Sequence, residues 1–350
     1  MSFRLHGPLR YRALSVWDLL GASGTAALRA ITGRRRVANW PWDLDAANEF
    51  SRRRLRRAMR QRTMHGARAL LDSLVFNSPP AQPVRTIPSR HPALRGDWLL
   101  PANAAANRTL LYFHGGGYAF YASAHQSMMQ HIAIAARART FALDYRLAPE
   151  HPYPAQLDDA FAAYRALIDS DTPASRVVVA GDSAGGHLVI SLLRRLRDSN
   201  LPMPALGIAL CPWTAVGDRS RSVFRNDRYD WITGARTLQF SRWAFGARAI
   251  VDAENVSPMQ YDVRGFPPLY LQAGGREALA DQIHRFAKKV GAAAGIVTLD
   301  VWPDMTHDFQ AFGSLLSDSA EALDRIGVVV DHYLGFERRT PLTPCARTIW

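Results

Sequence analysis

The pentapeptide Gly181-Asp182-Ser183-Ala184-Gly185 stands directly after the apolar run Val177-Val178-Val179-Ala180 and directly before a segment whose apolar residues recur at helical spacing. A serine on a sharp strand-to-helix turn exposes its hydroxyl, provided its neighbours are small enough for the chain to pass. Gly186 extends that permissive stretch, and the N-terminus of the following helix places a positive dipole end beneath the hydroxyl. Ser183 is therefore the candidate nucleophile. At neutral pH a serine hydroxyl is weak and needs a base. His307, in Asp304-Met305-Thr306-His307-Asp308-Phe309, follows a strand ending at Val301-Trp302 and precedes the last helical segment, so a loop at a strand's end carries it. His284 and His332 lie inside helical patterns and are read as surface or packing residues.

A second glycine-rich piece, His114-Gly115-Gly116-Gly117, also closes an apolar strand. Consecutive glycines let backbone N–H groups point into a cavity unobstructed, which is what a tetrahedral oxyanion requires. The hole is assigned to the N–H groups of Gly116, Gly117 and Ala184, with His114 and Gly115 as support of the loop. A phosphate loop is the rival reading, but neither a Walker lysine nor G-x-G-x-x-G followed by a ribose acid is present. The acid that fixes the imidazole is expected after the strand Leu269 to Gln272, where Glu277 and Asp281 compete. Glu277 lies in the loop and Asp281 inside the next helix, where an acid suits the dipole, so Glu277 is chosen.

These residues need a scaffold, and from Leu110 onward short apolar runs alternate with helical segments. The runs are Leu110–Phe113, Phe141–Leu143, Val177–Ala180, Leu206–Leu210, Pro268–Gln272 and Ile296–Val301. This is the form of a mostly parallel sheet with helices on both faces, an α/β fold. Two extended stretches, Val84–Ile87 and Trp98–Leu100, suit an opening antiparallel pair. Between Pro212 and Gly265 no strand run appears, and aromatics such as Trp213, Tyr229, Trp231, Phe240, Trp243 and Phe245 sit at helical spacings. Residues 213–265 are read as a cap insertion, which with a helical extension at 1–83 would roof the C-terminal ends of the strands. The extension shows no strand with clear alternation. The catalytic domain is expected over 84–337 and a loose tail over 338–350.

Lys288 and Lys289 are the only lysines, so the net charge of +13 is carried almost wholly by arginine, clustered at 34–36 and 52–57. No zinc-finger, helix-turn-helix or RNA-binding signature accompanies it, so nucleic acid is not an expected partner. Two cysteines, Cys211 and Cys345, make neither a disulfide framework nor a metal site and suit a reducing, cytoplasmic compartment. Leu14 to Ile31 is interrupted by Asp18 and Arg29 and does not read as a membrane span or a signal peptide. Its Leu14, Trp17, Leu20, Ala27 and Ile31 recur at helical spacing between arginines, so packing on the protein body and peripheral membrane contact are its two readings.

Four ordered motifs carry a resemblance: His114-Gly115-Gly116-Gly117, then Asp144-Tyr145-Arg146-Leu147-Ala148-Pro149-Glu150 with Pro154-Ala155, then Gly181 to Gly186, then Met305-Thr306-His307-Asp308-Phe309. Over roughly 110–334 the chain resembles the hormone-sensitive lipase family of bacterial serine esterases, with Ser257-Pro258 and Pro267-Pro268 in family-like places. The resemblance implies an α/β-hydrolase fold and hydrolysis of small carboxylic esters of short to medium acyl chain, without metal or organic cofactor. Many members carry aspartate where this chain has Glu277, and the first 83 residues are longer and more basic than the family leads one to expect. An acyltransferase with the same triad, or a non-catalytic receptor such as the plant gibberellin receptors, stands as the alternative; the presence of His307 favours an enzyme.

Overall fold

The computed structural model describes residues 2–335 apart from 93, 122, 171 and 249–251, together with 347 and 348. The chain opens with β1 (Ser2–Leu5), α1 (Leu9–Ile31), α2 (Trp42–Ala58), α3 (Met64–Asp72) and β2 (Leu74–Asn77). The body follows as β3 (Val84–Pro88), β4 (Gly96–Pro101), β5 (Ala105–Phe113), α4 (Ser123–Ala136), β6 (Ala138–Leu143), α5 (Ala155–Asp169), β7 (Val177–Asp182), α6 (Ala184–Asp198) and β8 (Leu206–Leu210). Between β8 and β9 (Leu269–Gly274) the described residues include the helices α7 (Arg221–Arg225), α8 (Gly234–Phe245) and α9 (Ala253–Val256). The chain continues through α10 (Ala280–Ala292), β10 (Val297–Trp302) and α11 (Ser317–Leu334).

Eight strands form one sheet in the order β10-β9-β8-β7-β5-β6-β4-β3. β6, β5, β7, β8, β9 and β10 run parallel; at the edge β4 pairs antiparallel with both β6 and β3, so β4 alone is reversed. Alternate residues of each central strand enter different cores. Leu111, Phe113, Val177, Val179 and Leu271 pack towards α5, α6 and α10, whereas Leu110, Tyr112, Val178, Ala180 and Tyr270 pack towards α4 and α11. With both faces covered, the strands read as unbroken apolar runs instead of alternating ones.

Two features of the N-terminal region differ from the sequence expectation. β1 and β2 pair antiparallel, with Phe3 opposite Phe76 and Leu5 opposite Leu74. Each is four residues long, too short for alternation to stand out beside the long helical patterns. α1 also lies with its larger apolar residues outward: Trp17 is 71% and Ile31 84% exposed, while Ser15, Asp18, Ala22 and Ala26 face inward. The inner face mixes small apolar packing, Ala22 against Phe50 and Leu74, with polar contacts, Asp18 accepting two bonds from Arg57 of α2 at 2.7 and 2.8 Å and Ser15 meeting Ser73 at 2.7 Å. Among the described residues no helix is long and apolar enough to cross a membrane. The tail expected at 338–350 lies outside the described residues except Arg347 and Thr348, which dock on β10: Val301 donates its N–H to the Arg347 carbonyl at 2.9 Å.

Candidate active site

The C-terminal ends of four parallel strands converge on one point. Ser183 sits between β7 and α6 with φ 52° and ψ −114°, a conformation unfavourable to a side-chain-bearing residue. The turn survives because the chains around it approach too closely for a larger residue; a Cβ at Gly185 would lie 1.9 Å from the Phe113 carbonyl oxygen. The serine backbone is pinned by its N–H to the Leu210 carbonyl at 2.8 Å and by its carbonyl to the Trp213 N–H at 3.0 Å. Beside it, Tyr112 donates its hydroxyl to Asp182 at 2.8 Å.

His307 arrives on the loop after β10. Its Nε2 lies 2.8 Å from Ser183 Oγ and its Nδ1 2.9 Å from Glu277 Oε2, and all three residues are buried. Nδ1–H donating to the carboxylate leaves Nε2 free to accept the hydroxyl proton. Burial opposes an imidazolium here, but Asp308, Glu277 and Asp230 outweigh it and raise His307 above the ordinary imidazole value. Asp308 Oδ2 stands 3.2 Å from Nε2, and burial pushes that carboxyl up too, so its share of the effect lapses once it is protonated. Asp281 makes no bond to His307 among the described residues; its Oδ2 accepts the Ser222 N–H at 2.7 Å, tying α10 to α7.

The Gly116, Gly117 and Ala184 N–H groups make no hydrogen bond among the described residues, and Gly116 and Gly117 line the same cavity as Ser183 and His307. Gly116 has φ +98°, and a Cβ there would lie 2.2 Å from the Phe120 carbonyl oxygen, so only glycine fits. His114 lies between the rings of Tyr121 and Tyr145, each stacked at 4.1 Å. Burial lowers it well below the usual imidazole range, so it is a neutral packing group, and Tyr145 donates its hydroxyl to the His114 carbonyl at 2.6 Å. Gly115 carries that loop past Asp182, whose Oδ2 a Cβ on it would meet at 2.1 Å. The Asp144-Tyr145-Arg146 motif thus braces the glycine loop from below. Arg68 braces it from the N-terminal side, donating to the Ala119 and Ala148 carbonyls at 2.9 Å and to both Glu150 oxygens at 2.8 Å.

The cavity measures about 240 Å³. Of the aromatics between β8 and β9, Trp213, Trp231 and Phe240 line it, and Phe120 does so from the glycine loop. Tyr118 instead packs away from it, its hydroxyl 2.6 Å from His187 Nδ1. α2 and β2 supply Phe50, Leu55 and Phe76 to the lining.

Several residues that shape the site escaped the sequence reading. Asp230, in the stretch between α7 and α8, accepts the His307 N–H at 3.2 Å with one oxygen and the Ala278 N–H at 2.7 Å with the other. Burial pushes this carboxyl up to about 7. Asn226 donates to the Glu277 carbonyl at 2.8 Å and the Trp231 indole to the His307 carbonyl at 2.7 Å. From the N-terminal region, Asn48 donates to Thr306 Oγ1 at 3.2 Å and the Trp40 indole to the Asp304 carbonyl at 2.7 Å. No local sequence pattern announces such contacts; a polar residue in an otherwise aromatic segment is their only trace. The sole candidate metal-ligand group among the described residues is Cys211, Glu277 and His307, within 4.8 Å of one another. Glu277 and His307 already bond each other, and burial raises the Cys211 thiol, so the set offers no thiolate and does not fit a metal.

Residues 110–311 match a protein family described as alpha/beta hydrolase fold. An acetyl-hydrolase of Streptomyces hygroscopicus is 34% identical over 234 residues, 66% of this chain and 77% of the relative. An ethyl acetate hydrolase of Pseudomonas putida is 31% identical over 242 residues, 66% of this chain and 75% of the relative. Among solved structures, an esterase of the bacterial hormone-sensitive lipase family superposes with TM-score 0.76 at 33% identity, covering 81% of this chain and 97% of its own.

Proposed function

The chain belongs to the hormone-sensitive-lipase-like family of bacterial esterases and hydrolyses carboxylic esters, and we propose that it does so through a Ser183-His307-Glu277 triad and an acyl-enzyme intermediate. The observation that carries the assignment is the unbroken relay from Ser183 Oγ to His307 Nε2 at 2.8 Å and from Nδ1 to Glu277 at 2.9 Å. Ser183 Oγ attacks the ester carbonyl carbon as its proton passes to His307 Nε2, and Glu277 holds the resulting imidazolium. The N–H groups of Gly116, Gly117 and Ala184 receive the oxyanion; one such donor is typically worth about 3–4 kcal/mol in the transition state. Collapse expels the alcohol, which takes the proton from Nε2, and leaves the acyl group on Ser183. Water, deprotonated by His307, then releases the acid and restores the serine.

The substrates in this reading are small esters of short to medium acyl chain, in keeping with a cavity of about 240 Å³ walled by Phe120, Trp213, Phe240 and Phe76. Residues 1–83 and 213–265 act as the cap that closes it. The reading places the chain in the cytoplasm, with peripheral membrane contact through its arginine-rich N-terminal region. Parallel assay of the wild type and Ser183→Ala on p-nitrophenyl esters of increasing acyl length tests it. The variant is expected to lose on the order of 10⁶ in kcat, as triad members act as a unit, and the wild type to turn over short and medium chains. Turnover by the variant near the wild-type rate overturns the nucleophile, and an optimum at long chains overturns the substrate class.

A further inference from the structure

α1 carries an apolar stripe that none of the described residues covers. Leu9, Trp17, Leu20, Leu28 and Ile31 are each at least 63% exposed, and the three- and four-residue steps from Trp17 to Ile31, through Gly24, keep them on one side of the helix. The opposite side is already used against α2 and β2, where Leu19 and Ala22 pack with Phe50, Leu74 and Phe76. The stripe is therefore not a core face awaiting a partner within the fold.

A second, independent feature adjoins it. Trp17 borders a surface cleft of about 310 Å³ whose wall includes Arg53, Arg56, Arg57 and Arg60 of α2 and its C-terminal turn. Arg57 is paired with Asp18 and Arg53 with Glu49. Arg56 and Arg60 are exposed and make no side-chain hydrogen bond or ion pair among the described residues. Arg236 of α8 feels them: its burial, then Arg60, then Arg56, lower its guanidinium below the ordinary value. Uncompensated cations thus crowd beside an exposed tryptophan on the edge of an apolar stripe, and Arg10, Arg34 and Arg35 flank the ends of the helix.

We propose that the exposed face of α1, with Arg56 and Arg60 beside it, is a docking surface for an anionic lipid bilayer. The inference rests on the peripheral-contact reading above and names its face and its ligand chemistry. Trp17, Leu20, Leu28 and Ile31 enter the headgroup–acyl boundary with α1 lying in the interface plane, and the arginines meet lipid phosphates. A second copy of the chain fits worse, because a chain of net charge +13 brought against its like would set these arginine clusters close to one another. An anionic bilayer matches both features at once. Phe50, Leu74 and Phe76, on which α1 is seated, also line the catalytic cavity, so docking would bring the roof of that cavity to the membrane.

The test is co-sedimentation of the full chain with vesicles of phosphatidylcholine alone and of phosphatidylcholine with phosphatidylglycerol. Wild type is expected to pellet with the anionic vesicles, less with the neutral ones, and to be released by high salt. Arg56→Glu with Arg60→Glu is expected to weaken binding by roughly twentyfold or more, taking each arginine near an anionic surface as worth about fivefold. Trp17→Ser with Leu20→Ser should weaken it at both salt concentrations. Both variants should hydrolyse soluble p-nitrophenyl acetate within about twofold of wild type, which shows the fold intact and separates this proposal from the catalytic one. No pelleting of wild type, equal binding to neutral vesicles, variants that bind like wild type, or a stripe-dependent dimer without lipid binding would each overturn it.

Discussion

The proposed nucleophile and its two partners meet at 2.8 and 2.9 Å, yet they are held in different ways. Ser183 is placed by neighbours in its own strand-turn-helix unit and by the strands beside it: β7 and α6 set its backbone, and Gly185 lets the turn pass the Phe113 carbonyl. Glu277 and His307 stand on loops that the sheet only delivers. What joins those loops comes from the cap, where Asp230 spans the His307 and Ala278 N–H groups, Asn226 and Trp231 take the Glu277 and His307 carbonyls, and Asn48 reaches Thr306 from α2. The proposed nucleophile is thus set mainly by the sheet, with the Trp213 N–H as its one bond from the segment 213–265 among the described residues. The geometry of the proposed base and acid depends on the sheet together with residues of α2 and the segment 213–265, so in the proposed reading that cap both covers the site and positions the residues that activate the serine.

That contrast breaks most readily at the acid. Glu277→Gln should cost about 10⁴ in kcat, because the amide cannot hold the imidazole in the productive tautomer, whereas Asp281→Asn should stay within a few-fold of wild type in steady-state hydrolysis. Equal losses would mean that the acid has been misassigned. Asp230→Asn sharpens the contrast from the cap side. An amide can accept only one of the two N–H groups that Asp230 now serves, so the loops shift, and a displacement of the reacting groups by about 1 Å can cost on the order of 10² in rate. The loss is expected in kcat with little change in KM.

The same variant has a signed effect on pH. Asp230 helps raise His307, and His307 must be neutral to act as base, so the acidic limb of kcat/KM lies above the ordinary imidazole value in wild type and moves to lower pH in Asp230→Asn. A limb that stays put while the rate falls would reduce Asp230 to packing. The smallest effect belongs to Asn48→Ala, which removes one hydrogen bond at 3.2 Å to the residue before His307. A bond of this kind is worth about 1 kcal/mol, so hydrolysis should fall by no more than about fivefold and thermal stability slightly.

The contrast also sets how much could be read from the chain. The sheet and its helices were legible because two-sided burial writes each strand as an apolar run and leaves helical spacing between runs, as at Leu206–Leu210 followed by the β9 strand. The candidate Ser183 and the Gly116-Gly117 loop were legible because the glycines they demand stand within a few residues of one another, although the atoms that demand them can be distant, as the Phe113 carbonyl is from Gly185. Asp230, Asn226 and Asn48 were not, since each acts across a sequence separation of at least 48 residues and leaves no periodic mark. α1 shows a third kind of limit. Its apolar periodicity was plain, but periodicity names a face without saying which way it points, and the polar Asp18–Arg57 and Ser15–Ser73 contacts turned the large residues outward.

Trapping of the acyl-enzyme tests the central claim most directly. Rapid acid quench of the wild type during turnover of p-nitrophenyl butyrate, followed by peptide mass analysis, should find one butyryl group on the peptide that contains Ser183, accumulating further in the slow Glu277→Gln variant if deacylation suffers more than acylation. Ser183→Ala should carry none. An acyl group on any other residue, or steady turnover by Ser183→Ala, would contradict the account.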